Sequence, residues 1–237
     1  MKLIFAVKNY FKRIVNKLRY IIIKKNNNDY RWINVTNAIK HNSLEQMNEF
    51  YKDDNLLTNY IDKERIEFYE EVAGLTKKAN INFSQDMAIV DIGCGTGHLL
   101  YYLKEEYGFQ KATGLDYSPE AIKVAKKLFP YFDFYEFDIY KNWDNKYDII
   151  LCTEVLEHLL YPDLAFANIL SMLNDGGSLV ITVPNGRIDT FGGHINFWSP
   201  ESWDVFIKTN AKEQHFETGT IQNNSINYAA IHKIKVG

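Results

Sequence analysis

The stretch VDIGCGTGHLL, Val90 to Leu100, decides the fold. An apolar run ends in an aspartate, glycines follow at 93, 95 and 97, and a second apolar run begins. Glycine allows backbone angles and close approaches that a Cβ forbids, so a strand, a turn open to a ligand and a helix are expected in that order. Around this turn, strand candidates at 87–92, 111–116, 132–138, 147–153 and 177–184 alternate with helix candidates at 97–107, 118–128 and 162–173. Ser118 followed by Pro119 is a good helix start. Strands that are apolar almost throughout, alternating with helices, form a parallel sheet covered on both faces. Two more strand candidates, 212–222 and 225–235, are joined by a link too short for a crossover, so they pair antiparallel. The expected fold class is α/β: a doubly wound, Rossmann-like, seven-stranded sheet with an antiparallel last strand and an N-terminal helical extension.

A chain of 237 residues with 46% hydrophobic and 24% charged side chains fits one such domain with additions. Cys94 and Cys152 sit singly in apolar runs, which gives neither a disulfide framework nor a metal-ligand spacing. No metal is expected, and a reducing cytoplasm is the natural setting.

The net charge of -3 hides an asymmetry. Residues 1–25 carry eight basic side chains and no acidic one, which leaves 19 basic against 30 acidic in the remainder. Leu3, Ile4, Val7, Phe11, Ile14, Val15, Leu18 and Ile22 recur at helical spacing, so residues 1–30 read as a basic amphipathic helix. A helical region at 31–80 and a ligand-binding domain at 81–237 follow. The charges and the lack of a cleavage site argue against a spanning helix or a signal peptide. The basic helix packs on the protein's own body or on a second subunit, as in a homo-oligomer, or it rests on the anionic inner face of a membrane. The acidic body does not suit nucleic acid as a partner.

A dinucleotide fingerprint, G-x-G-x-x-G, would need its third glycine where His98 stands. DIGCGTG instead resembles the first motif of class I S-adenosylmethionine-dependent methyltransferases. GLDYS at 114–118, FDIY at 137–140, YDIILCTEVLEHL at 147–159 and LNDGGSLVITVPN at 173–185 resemble that family's later segments in order. The resemblance implies S-adenosyl-L-methionine as cofactor. It implies Asp91, Gly93, Cys94, Gly95 and Gly97 as the first-motif contacts, Asp116 and Tyr117 at the ribose, and Asp138 and Ile139 at the adenine. Thr153 would meet the methionine part, and Arg65 on the preceding helix its carboxylate.

Methyl transfer from a sulfonium is an in-line displacement, so the protein must align the acceptor and manage one proton. EVLEHL resembles small-molecule O-methyltransferases of ubiquinone biosynthesis and sugar tailoring. Glu154 and His158, four residues apart, are expected to share a helix face at the crevice, with Glu157 on the other face as a structural residue. His158 reads as a general base or as a packed histidine. His194 has the same two readings, on a loop from Pro184 to Trp203 that also offers Arg187, Asn196 and Trp198 as substrate contacts. No Asn/Asp-Pro-Pro-aromatic string follows the fourth strand, which favours an oxygen acceptor. The expected activity is methyl transfer to a small or lipid-linked metabolite, such as a surface-glycan or phosphorylated precursor. The alternatives are N-methylation of a small amine or sugar, a nicotinamide oxidoreductase, and a non-catalytic membrane-associated binding protein.

Overall fold

A computed structural model describes residues 20–25, 29–52 and 60–235. The elements run β1 (Tyr20–Lys25), β2 (Asp29–Asn34), α1 (Val35–His41), α2 (Leu44–Tyr51), α3 (Lys63–Lys78), β3 (Ile89–Ile92), α4 (His98–Tyr107), β4 (Thr113–Asp116), α5 (Pro119–Leu128) and β5 (Asp133–Glu136). They continue with β6 (Tyr147–Thr153), α6 (Pro162–Ser171), β7 (Leu173–Pro184), α7 (Pro200–Ala211), β8 (His215–Ile221) and β9 (Ile226–His232). Seven strands form one sheet in the order β5-β4-β3-β6-β7-β9-β8. The first five are mutually parallel, and β9 runs antiparallel to both β7 and β8. This is the expected doubly wound sheet, with its order reversing between β3 and β6.

The period of two along β6 divides the core. Ile149 and Leu151 enter a cluster with Ile89, Leu100, Leu103 and Phe134 on one face of the sheet. Ile150 and Cys152 join Val90, Phe166 and Trp203 on the other. Helix starts follow local chemistry. Ser118 Oγ accepts from the Ala121 amide at 3.2 Å with Pro119 in the first turn, and Asp62 Oδ1 accepts from the Arg65 amide at 2.8 Å.

Three expectations change. Tyr20–Lys25 is a strand and not the end of a helix, because it pairs antiparallel with β2 from Tyr20↔Asn34 to Lys25↔Asp29. Its Ile21–Ile23 run is β-branched, which favours an extended backbone over a helical one. The rest of the expected basic helix, residues 1–19, lies outside the described residues. Secondly, α3 contributes Phe68, Val72 and Leu75 to the same cluster as β3, so the boundary expected at 80 divides one packed body. Thirdly, the long loop ends early, because Ser199 caps α7 and Pro200 opens it, repeating the Ser118-Pro119 start. Among the described residues no helix is long and apolar enough to cross a membrane.

Candidate active site

The glycine turn closes at the carboxyl end of β3, where the amides of Gly93 and Cys94 donate to the Leu115 carbonyl at 2.7 and 3.1 Å. Gly93 has φ +78°, and a Cβ there would lie 2.3 Å from Val155 Cγ2. Gly95 has φ +50°, and its Cβ would lie 3.0 and 3.1 Å from the hydroxyls of Tyr51 and Tyr60. Two tyrosines from the N-terminal region therefore fold over the turn, with their hydroxyls 3.2 Å apart. Gly97 opens α4 and faces Phe134 in the core instead of the cavity.

Asp116 is held by this turn. Its Oδ2 accepts from the Gly95 amide and its Oδ1 from the Ser118 amide, each at 2.8 Å. Burial raises its carboxyl above the ordinary range, against the pull of those backbone donors. Each oxygen keeps a second lone pair for a ligand. Asp91 is 2% exposed, and its Oδ1 has no partner among the described residues. Burial, with the charge of Asp116 behind it, pushes the Asp91 carboxyl up to about 8. A cationic ligand group would relieve both features.

These groups line a cavity of about 890 Å³ at the point where the strand order reverses. Arg65, Asp91, Gly93, Cys94, Gly95, Asp116, Tyr117, Asp138, Ile139, Thr153, Glu154, His158 and His194 all line it. Asp138 Oδ1 accepts from the Tyr140 amide at 3.1 Å, and the Ile139 carbonyl accepts from Asn168 Nδ2 at 2.8 Å. The bare turn, the unspent Asp91 oxygen and the spare lone pairs of Asp116 fit a nucleoside-bearing sulfonium cofactor with an ammonium group.

The segment after β6 is not the expected helix. Glu154 takes a left-handed φ of +56°, and only Leu156–His158 winds, as a single 3₁₀ turn. Glu154 and His158 therefore do not share an α-helical face. Glu154 is half-buried, and its Oε1 accepts from Thr182 Oγ1 at 2.9 Å. Burial pushes its carboxyl up to about 7, against the Thr182 bond and the charge of Arg65.

Glu157, expected on an outer face, points inward. It is 1% exposed, and neither carboxylate oxygen has a hydrogen-bond partner among the described residues. Its Oε1 lies 3.6 Å from His158 Nε2 and 3.9 Å from His194 Nε2. Burial, then the charge of Glu154, drives the Glu157 carboxyl well up. Burial also pulls His158 down to about 3, with His194 adding to the effect, so its imidazole is neutral. The rings of His158 and His194 meet edge to face at 4.7 Å.

The His194 loop is clamped here by its backbone. The amides of Ile195 and Asn196 donate to the Glu157 carbonyl at 2.8 and 3.0 Å. Asn196 Nδ2 donates to the carbonyls of Leu156 and Leu159 at 3.1 and 2.7 Å, so this residue fastens the 3₁₀ turn and does not reach the cavity. Trp198 packs against Trp203 and Phe206, at 5.5 and 5.1 Å between ring centroids, and closes the core. Arg187 turns to solvent and pairs with Glu201 at 2.6 Å. The three expected substrate contacts thus lie outside the cavity. Tyr51, Tyr60 and Glu157, which the sequence reading missed as site residues, line it. The Ser118 Oγ to Asn48 Oδ1 bond of 2.6 Å helps seat α2 and its Tyr51 there. No spacing in the sequence links these residues to the glycine turn.

Residues 63–212 match the family described as a methyltransferase domain. A putative methyltransferase 235L of Invertebrate iridescent virus 6 is 30% identical over 128 residues, which is 54% of this chain and 48% of the viral protein. The trans-aconitate 2-methyltransferase of Escherichia coli (strain 55989 / EAEC) is 30% identical over 103 residues, 43% of this chain and 40% of that protein. The chain thus matches about half or less of the length of these curated relatives. The N-methyltransferase NodS from Bradyrhizobium japonicum WM9, solved with S-adenosyl-L-homocysteine, superposes with a TM-score of 0.64 at 18% identity over 81% of this chain and 98% of NodS. At that identity the likeness is one of fold.

Proposed function

We propose, for a chain that belongs to the methyltransferase domain family, that it transfers the methyl group of S-adenosyl-L-methionine to a hydroxyl oxygen of a small molecule. The observation that carries this reading is a single cavity with two chemically distinct ends. One end has the bare glycine turn with Asp91 and Asp116, and the other has the Glu154 carboxyl held near neutrality. S-adenosyl-L-methionine, when bound, supplies an electrophilic methyl group.

Asp91 would receive the cofactor's ammonium, Asp116 its ribose hydroxyls, Asp138 its adenine amine and Arg65 its carboxylate. Tyr51 and Tyr60 cover the turn and exclude water from it. An acceptor hydroxyl must lose its proton as the new bond forms, and a base acts best with a pKa close to the working pH. Glu154, pushed up to about 7, meets that condition, whereas His158, pulled down to about 3, is too weak a base. We therefore assign proton removal to Glu154. The Glu154 carboxyl at this end favours a neutral hydroxyl compound over a phosphorylated or polycarboxylate acceptor. Arg187, expected as a substrate contact, faces away.

Turnover with methyl-labelled S-adenosyl-L-methionine against matched panels of hydroxyl, amine and carboxylate compounds tests the reading. Labelled ethers are the expected products. Label found only in amines or in base-labile esters would overturn it.

A further inference from the structure

Three side chains of metal-ligating type, Glu157, His158 and His194, converge at the acceptor end of the cavity. Asn42 orients the first imidazole. Its Nδ2 donates to the carbonyls of Ala38 and Gly193 at 3.0 and 2.7 Å, so its Oδ1 is free only to accept. His158 Nδ1, 2.9 Å from that oxygen, must carry the ring proton, and the lone pair is left on Nε2. Asp189 orients the second. Its Oδ2 pairs with His194 Nδ1 at 2.5 Å, which leaves Nε2 facing Glu157. Both Nε2 atoms approach Glu157 Oε1, at 3.6 and 3.9 Å. Glu157 itself is buried, with both oxygens unpartnered among the described residues. Two imidazole nitrogens and a buried carboxyl group with no hydrogen-bond partner among the described residues thus face one point, as a metal-ligand set does.

We propose that Glu157, His158 and His194 bind a divalent first-row transition-metal ion of the zinc or cobalt class. Their ligand atoms all lie within 4.8 Å of one another. Bonds of about 2.0–2.2 Å set ligand atoms roughly 3 to 4.4 Å apart, and both Glu157 to imidazole distances fit that range. Asn42 and Asp189 stand where outer partners fix the tautomer and aim of metal-binding imidazoles. Two imidazoles with one carboxylate favour zinc, iron, cobalt or nickel over magnesium and calcium, which prefer oxygen ligands. Cys94 and Cys152 take no part, which is why the cysteine pattern gave no hint of a metal.

Three protein ligands leave coordination positions open toward the cavity. The binding site stands on this geometry alone, while its role in turnover rests on the hydroxyl-acceptor reading. A hydroxyl on the ion sheds its proton far more readily than a free one. The proton passes to the Glu154 carboxylate, the oxygen forms the new bond to the methyl carbon, and the carbon–sulfur bond breaks to release a neutral thioether.

Cobalt(II) is the probe. The full-length chain is stripped with chelator and titrated with Co²⁺ while its visible absorption is followed. One equivalent is expected to give ligand-field bands, and Zn²⁺ is expected to displace it. Glu157→Gln and His194→Gln should each lower Co²⁺ affinity at least tenfold, and Asp189→Asn by about 10- to 100-fold. His215→Gln, at the exposed start of β8, should change nothing. Wild-type protein without a one-equivalent spectrum overturns the proposal, as does binding that all three site variants leave intact. Should the buried variants fail to fold, proton NMR of the Co²⁺-loaded wild type decides. Two hyperfine-shifted exchangeable Nδ1–H signals are expected, and their absence overturns the site. S-adenosyl-L-homocysteine affinity is measured on the same samples. Cofactor binding without cobalt binding defeats the metal site alone, and an intact cobalt spectrum with transfer only to amines defeats the hydroxyl reading alone.

Discussion

The two ends of the cavity are built in opposite ways. At the glycine turn the polar groups come from two adjacent strand ends, and Asp116 bonds to the turn's own amides. At the other end Asn42, Glu154 to His158, Asp189 and His194 arrive from separate segments, and Glu157 has no hydrogen-bond partner among the described residues. The first end is a cradle in which Asp116 bonds back to the turn and Asp91 Oδ1 is left unpartnered among the described residues. The second is assembled from distant segments, and among the described residues Glu157 there finds no hydrogen-bond partner. Binding strength therefore belongs to one end and chemistry to the other, and substitutions should separate the two.

The largest effect is expected at the chemical end. Glu154→Gln should lower turnover by about 10²- to 10⁴-fold with S-adenosyl-L-homocysteine affinity nearly unchanged. Wild-type activity should climb as pH rises through about 7, where Glu154 loses its proton. A variant that keeps its turnover, or a profile flat through that range, would erase the division of labour.

The next test sits at the cradle. Asp91 is raised from 3.8 to about 8 by burial first and Asp116 second. The unfolded chain ionises this carboxyl above 3.8 while the folded chain holds the proton to about 8, so the unfolded state binds fewer protons in that window. Stability of the ligand-free protein should fall as pH rises across the window and level off above it, on the order of 1.4 kcal/mol per pH unit at most from this group. Denaturant unfolding of Asp91→Asn should show a shallower fall than wild type. Equal slopes would remove Asp91 as the strained group of the cradle.

Asp116→Ala should weaken S-adenosyl-L-homocysteine binding by about 1.5 to 3 kcal/mol, the range for hydrogen bonds to a charged group. Calorimetry showing full affinity would break the assignment of binding to this end. Gly95→Ala comes next. It forces a left-handed residue against the Tyr51 and Tyr60 hydroxyls and should cost about 1–2 kcal/mol of stability, read by thermal melting. An unshifted melting temperature would mean that the tyrosine cover is loose. The smallest effect is expected for Arg187→Ala, which removes only an exposed pair with Glu201. Stability should stay within about 0.5 kcal/mol and turnover should hold. A clear loss of turnover would bring the outer loop back into the acceptor site.

Much of the cradle was legible because its signals are local. DIGCGTG holds an apolar strand, the turn and the helix start within a few residues, and Asp116 closes the next strand. β6 appears at the residues expected for it, Tyr147–Thr153, since a nearly continuous apolar run needs no distant partner to be read. The acceptor end was less legible for the opposite reason. Spacing alone made EVLEHL a helix, but the left-handed Glu154 ends the regular backbone and turns Glu157 inward. Arg187, Asn196 and Trp198 have the chemistry of substrate contacts, yet an ion pair, two backbone carbonyls and a core pocket claim them first.

The sequence by itself determined the sheet, its antiparallel last strand and the bare turn at the end of β3, because apolar period, glycine freedom and helix caps act over a few residues. Only the tertiary structure decided what faces Glu157. His158 meets Asn42 across 116 positions and His194 is clamped to the Glu157 carbonyl by the amides that follow it. The tautomer of an imidazole and the burial of a carboxylate depend on the atoms around them, and here the chain brings those atoms from far apart.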